Sequence, residues 1–211
     1  MKVVSVNIGE KQSIKWRGRK VQTGIFKYPV NSAIFLGKTG VNHDQVIDRK
    51  YHGGEYKACY IYSADHYDYW KSLYPELEFD YGMFGENITI HGMQETDMFL
   101  GDVYQIGEAK VEITQPREPC FKLGARFGTQ KVLKQFINAP YPGAYLRVLE
   151  EGAVKSGDEI KLISKGFEES SLKDVYSLMY HSTKAERDQI HRLLELNDLP
   201  PGLIKALKKR I

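Results

Sequence analysis

Hydrophobic and polar residues alternate over many short stretches of the chain, and glycine, proline or asparagine bounds most of these stretches. Alternation with a period of two is typical of β-strands that bury one face. Strands are predicted over residues 3–8, 21–27, 32–36, 57–62, 87–91, 102–106, 109–114, 145–150 and 159–164. Many short strands with turn signals between them favour a mainly β fold with helices, built as a β-barrel.

Two connections between the predicted strands carry hairpin signals. Trp16-Arg17-Gly18-Arg19 places a glycine in a polar turn, and Gly107-Glu108 separates two alternating stretches. Glycine tolerates the positive φ that tight hairpin turns require. We therefore expect antiparallel strand pairs at both places.

Helical patterns are rare before residue 165. Ser63 is a suitable N-cap for a helix that runs to about Leu73, and residues 129–137 form a second short helical pattern. Residues 41–51 are polar with little periodicity. We interpret that stretch as a long functional loop.

The period changes from two to that of a helix after residue 165. Ser171 precedes the first apolar helical stretch, residues 183–186 form a capping box for the second, and the prolines at 200–201 begin the third. The predicted organisation is a barrel domain with inserted helices over residues 1–165, followed by a three-helix segment over residues 166–211.

Composition narrows the class of protein. Of the 211 residues, 42% are hydrophobic and 27% are charged, which is ordinary for a globular protein. No apolar run reaches the length of a membrane span, and the N-terminus lacks the pattern of a signal peptide. We expect a cytoplasmic protein. Its net charge of +3 does not require a nucleic-acid partner and suits a small anionic ligand equally well.

The stretch Gln115-Pro116-Arg117-Glu118-Pro119-Cys120-Phe121-Lys122-Leu123 directly follows a strong strand pattern. Proline has no N–H for a sheet and restricts φ, so the chain must leave the sheet here. Cys120 then lies in a stiff turn with Arg117 and Lys122 nearby. Neighbouring cations favour the thiolate, which attacks electrophiles and binds soft metals. A small buried hydrophobic residue is the alternative interpretation of this cysteine.

Other motifs exclude several chemistries. His52-Gly53-Gly54 resembles an esterase oxyanion loop, but the chain has no Gly-x-Ser-x-Gly. Gly37-Lys38-Thr39 lacks the first glycine and the following helix of a phosphate-binding P-loop. Two cysteines are too few for a disulfide scaffold or an iron–sulfur cluster, and the histidines lack zinc-ligand spacing. Cys59 alternates within a strand and is predicted to be core.

A basic stretch near the N-terminus leaves three interpretations open. Between residues 15 and 27 the chain has five cations, one tryptophan and no acidic residue. Such a stretch suits a nucleic-acid backbone, a solvated hairpin or a positive wall that attracts an anionic cofactor.

Taken together, six motifs in order resemble the MOSC domain, which is found at the C-terminus of molybdenum cofactor sulfurases. Length and helical tail resemble the stand-alone bacterial branch of that family, which includes hydroxylaminopurine resistance proteins. The matching residues are His52-Gly53-Gly54, Lys57-Ala58, Gly85-Glu86-Asn87, Gly101-Asp102, the Gln115 to Leu123 stretch, and Gly152-x-Val154-x-x-Gly157-Asp158.

The resemblance implies a β-barrel that binds the molybdenum cofactor, molybdopterin with its metal. Cys120 would be the protein ligand to molybdenum, and His52 would donate a proton, since a free histidine titrates near neutral pH. Pyridoxal phosphate binding is a further association of the family. Residues expected to contact the cofactor phosphate or pterin are Thr23, Lys27, Asn87, Gln115, Arg117, Lys122 and Arg147.

The reaction implied is the two-electron reduction of an N–OH group to N–H with release of water, on substrates such as hydroxylaminopurine bases. The chain lacks flavin and haem motifs, so an external reductase would supply the electrons. Two alternatives remain open at this point: a non-catalytic cofactor carrier and, ranked lower, a nucleic-acid-binding barrel.

Overall fold

The computed structural model describes residues 1–211, except for the side chain of Lys50. Thirteen short strands lie before residue 165, as the alternating pattern predicts. The strands are β1 (Lys2–Gly9), β2 (Gln12–Trp16), β3 (Arg19–Thr23), β4 (Lys27–Pro29), β5 (Ile34–Gly37), β6 (Gly40–Val41), β7 (Cys59–Ser63), β8 (Ile88–His91), β9 (Val103–Ile106), β10 (Ala109–Pro116), β11 (Ala144–Glu150), β12 (Gly152–Val154) and β13 (Ile160–Ser164).

Short helices connect the strands and form the C-terminal segment. They are α1 (Arg49–His52), α2 (Tyr67–Leu73), α3 (Phe121–Arg126), α4 (Lys131–Asn138), α5 (Leu172–His181), α6 (Arg187–Leu194) and α7 (Pro201–Lys208), with 3₁₀ turns at Glu55–Lys57, Ala64–His66 and Lys184–Glu186. Within the described part of the chain, every helix is too short or too polar to traverse a lipid bilayer.

A mixed sheet of eight strands forms the centre of the molecule, in the order β13-β9-β10-β11-β7-β8-β1-β4. Neighbouring strands in this sheet run antiparallel, apart from the parallel pair β7 and β8. Strands β12, β5 and β6 form a second sheet, and β2 and β3 form a separate hairpin. The fold is therefore mainly β with several helices.

The prediction of a closed barrel is not confirmed. The first and last strands of the chain meet at one isolated bridge, between Lys2 and Glu159. The Val3 N–H also donates to the Asp158 carbonyl at 2.9 Å. These contacts join two strand ends but form no continuous ladder, so we describe the architecture as a large mixed sheet.

The structure departs from the predicted elements at three places. The strand predicted to continue to Lys27 ends at Thr23. A Cβ on the next residue, Gly24, would lie 1.6 Å from the Gln45 carbonyl oxygen, so this close approach of two backbone segments requires glycine. The predicted loop over residues 41–51 contains the start of α1, and α3 directly after Cys120 was not predicted.

The C-terminal helices pack into the same hydrophobic core as the sheet. Leu172 and Leu203 are fully buried in one cluster with Ile113 of β10. The predicted caps are present: Ser171 and Thr183 each accept a backbone N–H and complete a capping box. Division of the chain into residues 1–165 and 166–211 stays a prediction.

A second, aromatic core lies against the other face of β7. Tyr62, Trp70, Phe84 and Phe136 are buried there, with the Tyr62 and Phe84 rings stacked at 4.3 Å. The indole N–H of Trp70 donates to the Tyr62 hydroxyl at 2.7 Å, so this buried donor is satisfied. The cluster supports the wall on which the cationic side chains described below are held.

Candidate active site

A cavity opens where β3 and β10 end and β7 begins, with an empty volume of about 600 Å³ that is partly open to solvent. That volume falls in the range of small-molecule binding sites. Its wall is formed by Thr23, Gly24, Ile25, Lys27, Gln45, Val46, Ile47, Asp48, His52, Lys57, Ala58, Tyr60, Gly85, Asn87, Arg117, Cys120, Lys122 and Tyr145. Seven of the residues predicted for the site are thus brought together: Thr23, Lys27, His52, Asn87, Arg117, Cys120 and Lys122.

Cys120 lies at the junction between a strand and a helix. Strand β10 ends at Pro116, the backbone of Cys120 is extended, and α3 begins at the next residue. The Leu123 N–H donates to the Cys120 carbonyl at 2.9 Å, which holds the turn. The thiol is free and half-buried in the cavity wall. A fixed backbone on both sides gives the sulfur a defined direction.

Arg117 is held rigidly in the wall although only 5% of the residue is exposed. Its guanidinium donates to the Phe84 carbonyl and lies over two aromatic rings, 4.9 Å from the centre of Tyr60 and 5.6 Å from that of Phe136. Among the described residues, no carboxylate forms an ion pair with it. A buried guanidinium without a carboxylate is costly and suits an anionic ligand.

Two lysines add positive charge to the same cavity. The Lys122 side chain is 8% exposed, and its ammonium lies 3.6 Å from the half-exposed Asp48 carboxylate. Lys57 donates to the Tyr51 carbonyl at 3.0 Å and lies 5.2 Å from the centre of the Tyr145 ring. Burial lowers the pKa of Lys57. The wall therefore has four cations, counting Lys27, against one carboxylate.

The pKa of His52 is shifted by its burial and by the cations of the cavity wall. Burial, and then the charges of Lys122, Arg117 and Lys57, lower the pKa of His52 to about 4. The imidazole is accordingly neutral at pH 7. The pKa near neutrality on which its predicted role as proton donor rested does not apply in the folded protein.

Three of the predicted contact residues already have protein partners. Lys27 and Asp44 form an ion pair whose side chains are 8% and 1% exposed, so the ammonium charge is neutralised. The Thr23 hydroxyl accepts the Ile25 N–H at 3.1 Å. Asn87 accepts the Tyr60 N–H at 3.4 Å. These side chains shape the cavity and have part of their hydrogen-bonding capacity in use.

Gln115 and Arg147 do not line the cavity. Gln115 is fully buried, and its side-chain amide has no hydrogen-bond partner among the described residues. Arg147 points instead to carboxylates: it donates to Glu112 at 2.8 and 3.0 Å, pairs with Asp198, and lies 3.8 Å from Glu55. The structure therefore does not bring Arg147 together with Cys120.

Among the wall residues that were not predicted for the site are Asp48, Lys57, Tyr60 and Tyr145. Lys57 had a signal, since it follows the His52-Gly53-Gly54 motif at a short interval. The two tyrosines lie on β7 and β11, where the alternating pattern only indicates which residues share a sheet face. Neither tyrosine could be assigned from the sequence, because aromatic residues on strands usually serve the core.

No group of three or more histidine, cysteine, aspartate or glutamate side chains comes together as a metal site within the described residues. A metal bound beside Cys120 would thus take its remaining ligands from a cofactor or from solvent rather than from a cage of protein side chains.

The sequence pattern of the MOSC domain matches residues 48–161, which include the cysteine turn and much of the cavity wall. The chain belongs to the MOSC family. Among related proteins, YflK of Bacillus subtilis is 37% identical over 182 residues, which cover 86% of this chain and 82% of YflK.

Two further similarities extend beyond the matched domain. The crystal structure of YiiM from Geobacillus stearothermophilus is 32% identical, with a TM-score of 0.80 over 99% of this chain and 98% of that one. A protein named reductase from Gibberella moniliformis is 31% identical over 186 residues. The similar region covers 87% of this chain but 32% of that protein. The MOSC chain is therefore similar to whole bacterial proteins and to part of a longer fungal one.

Proposed function

We propose that the protein is a molybdenum-cofactor-dependent reductase of N-hydroxylated compounds, such as hydroxylaminopurine bases. It reduces N–OH to N–H with electrons from a partner reductase. The single observation that carries the proposal is the cavity in which Cys120 lies beside Arg117, Lys57 and Lys122. A thiol suits molybdenum, and the cations suit the phosphate of the pterin.

The wall residues fit that group on electrostatic grounds. Lys122, Arg117 and Lys57 face one carboxylate in the cavity, and their charges contribute to the low pKa of His52. An anion in the cavity would compensate those charges. Arg117 offers N–H groups on a rigid fork, and Lys122 offers a point charge.

In this proposal Cys120 is the protein ligand to the metal, and Arg117, Lys57 and Lys122 bind the anionic parts of the cofactor. Thr23 and Asn87 shape the wall, and the ion pair with Asp44 makes Lys27 a weaker anion partner than predicted. Gln115 remains a proposed pterin contact although it does not line the cavity, because its buried amide has no protein hydrogen-bond partner among the described residues and its strand partner Tyr145 does line the cavity. Arg147 is not part of the proposed site, because its guanidinium is committed to carboxylates.

When bound, the molybdenum cofactor supplies the two-electron redox chemistry that the side chains lack. The protein has to supply two protons for each N–OH group that becomes N–H and water. His52 is neutral without a bound anion, and an anion beside it raises its pKa towards the range in which it transfers protons. Lys57 lies in the same wall, and burial lowers its pKa.

Similarity to a protein named reductase supports the oxidoreductase class, and the mostly bacterial relatives support the family assignment. The decisive experiment is metal analysis and turnover on protein made in a host that synthesises the cofactor. We expect about one molybdenum per chain. We also expect turnover of 6-hydroxylaminopurine with reduced methyl viologen as the electron source. Bound molybdenum without turnover would support the carrier alternative.

Replacement of the cysteine tests the metal-ligand role. Cys120→Ser should lose turnover and most of the bound molybdenum, because a neutral hydroxyl is a poor ligand for a soft metal. Cys59→Ala is the matched control, since Cys59 is buried in the core and burial raises the pKa of its thiol to about 12. The control should keep both metal and activity. Wild-type turnover in Cys120→Ser would overturn the proposal.

A further inference from the structure

The hairpin of β2 and β3 stands apart from the two larger sheets. Arg17 and Gly18 form its two-residue turn, with φ of 47° and 78°. Positive φ at both positions matches the twist of a tight hairpin, although arginine is an unusual residue there. Cross-strand pairs run from Gln12 opposite Thr23 to Trp16 opposite Arg19. The hairpin is therefore a short, well-defined arm that ends at Thr23 in the cavity wall.

The outer face and tip of this arm are strongly cationic. Lys15 lies directly opposite Lys20, and both side chains are exposed. Like charges at directly opposed positions destabilise a β-ladder. Arg17 and Arg19 add two more exposed cations, and none of the four forms an ion pair among the described residues. The chain contains no acidic residue between Lys11 and His43 that could balance them.

The inner face of the arm connects these charges to the cysteine. Trp16 stacks on Phe121 with ring centres 4.6 Å apart and planes inclined by 22°. The Arg17 guanidinium lies 5.4 Å from the centre of the Trp16 ring on the same arm. Phe121 directly follows Cys120 at the start of α3. The arm is thus held against the residue next to the proposed metal ligand.

We propose that the outer face of the β2–β3 hairpin is the docking surface for a small acidic electron-transfer protein. The inference rests on the proposed reductase function, which requires electrons to enter near Cys120. A repulsive lysine pair without an internal counter-charge is stabilised when an acidic surface covers it. Docking there places the carrier beside the cavity rather than at a distant face.

Two observations favour an acidic protein over a nucleic acid. The single tryptophan of the arm is stacked on Phe121, so its ring is not free to stack on bases. Each strand of the arm has five residues, which span roughly 17 Å at about 3.3 Å per residue. A surface of this length suits a transient contact with a small protein better than a groove that follows a nucleic-acid backbone.

The electron balance sets what the partner must deliver. Reduction of one N–OH group consumes two electrons and two protons, breaks the N–O bond, forms an N–H bond and releases water. The carrier gives up the two electrons, in one or two encounters, and is itself oxidised. A reduced flavodoxin-type flavoprotein is a carrier of this chemical class.

The test measures binding of a bacterial flavodoxin to the cofactor-loaded protein at low and high ionic strength. We expect the double variant Lys15→Gln with Lys20→Gln to weaken binding by about tenfold at low ionic strength and much less at high ionic strength. Lys161→Gln with Lys173→Gln is the control of equal charge, because β13 and α5 contribute no residue to the cavity wall. The control should bind as the wild type does.

Activity measurements separate this proposal from the reductase proposal. With methyl viologen as the donor, the hairpin variant should turn over hydroxylaminopurine as the wild type does, whereas flavodoxin-dependent turnover should fall. Its melting temperature should be unchanged or higher, since a like-charge pair is removed. If the wild-type protein were inactive with methyl viologen, the reductase function would be rejected. The binding measurement would still test whether the hairpin is a docking surface.

Three results would overturn the docking surface. They are no binding of flavodoxin to the wild type, an equal loss of binding in the control variant, or tighter binding of a single-stranded oligonucleotide that the hairpin variant loses.

Discussion

Arg117 and Arg147 are both arginines beside the same central strands, yet their surroundings are opposite. Arg117 lies in the cavity wall over two aromatic rings, and its guanidinium donates to the Phe84 carbonyl. Arg147 lies on β11 outside the cavity and contacts Glu112, Glu55 and Asp198. Both were expected to contact a cofactor, and the structure keeps that expectation open only for Arg117.

The difference shows how charge balance separates a ligand site from a structural contact. A cation that already has carboxylates gains little from an anionic ligand, because its field is compensated. Asp198 precedes α7 and also accepts a hydrogen bond from the Tyr56 hydroxyl, so the Arg147 network joins the C-terminal segment to the loop that contains Lys57. The Arg147 network therefore positions the C-terminal segment, whereas Arg117 in the cavity has no carboxylate partner among the described residues.

The largest expected effect comes from replacing one arginine at a time with methionine. Arg117→Met should lower retention of the molybdenum cofactor by roughly a hundredfold, since truncating one partner of a buried charge pair costs about 2–5 kcal/mol. Arg147→Met should keep the cofactor. Molybdenum content after gel filtration measures both.

Two controls accompany the comparison of Arg117→Met with Arg147→Met. Arg117→Lys keeps the charge and should retain more cofactor than Arg117→Met, and thermal unfolding establishes that each variant folds. Equal cofactor loss in Arg117→Met and Arg147→Met would remove the distinction between the two regions.

A second expected effect concerns the pH dependence of stability. Since the pKa of His52 falls from about 6.5 when unfolded to about 4 when folded, the unfolded chain binds more protons between those values. The stabilisation is complete above pH 6.5 and is lost as the pH falls towards 4. Relative to His52→Gln, the wild type should lose up to about 3 kcal/mol of unfolding free energy, measured by urea denaturation.

The pKa of His52 also distinguishes the cavity cations from Arg147. Lys122→Met should raise the pKa of His52, because it removes one of the charges that lower it. Arg147→Met should leave the titration unchanged, since Arg147 is not among the causes of the shift. NMR titration of the imidazole resonances measures both variants, and an unmoved pKa in Lys122→Met would contradict this account of the cavity.

The smallest expected effect belongs to the Arg147 network. Glu112→Gln should lower the unfolding free energy by about 1 kcal/mol or less, because partly exposed ion pairs are weak. The loss should shrink in high salt, where surface charges are screened. The molybdenum content of folded Glu112→Gln, measured before any denaturant is added, should equal that of the wild type. A large fall in cofactor content would show that this network belongs to the site.

Local patterns predicted most of the secondary structure because they report local physics. The alternation in β1 and β10, the turn at Arg17-Gly18, the helix start after Ser171 and the capping box at Thr183 depend on neighbouring residues alone. Helix α3 was missed because the prolines before it end a strand without showing that a helix starts after Cys120.

The sequence alone determined that this chain belongs among mainly β proteins with a helical tail, and that the turn containing Cys120 is stiff and surrounded by cations. Only the tertiary structure decided which cations share a cavity with that cysteine. Lys27 and Asp44 are 17 positions apart in the chain, and Arg147 and Asp198 are 51 apart. Charge compensation acts through space, so the order of residues could not show that these two cations are neutralised while Arg117 is not.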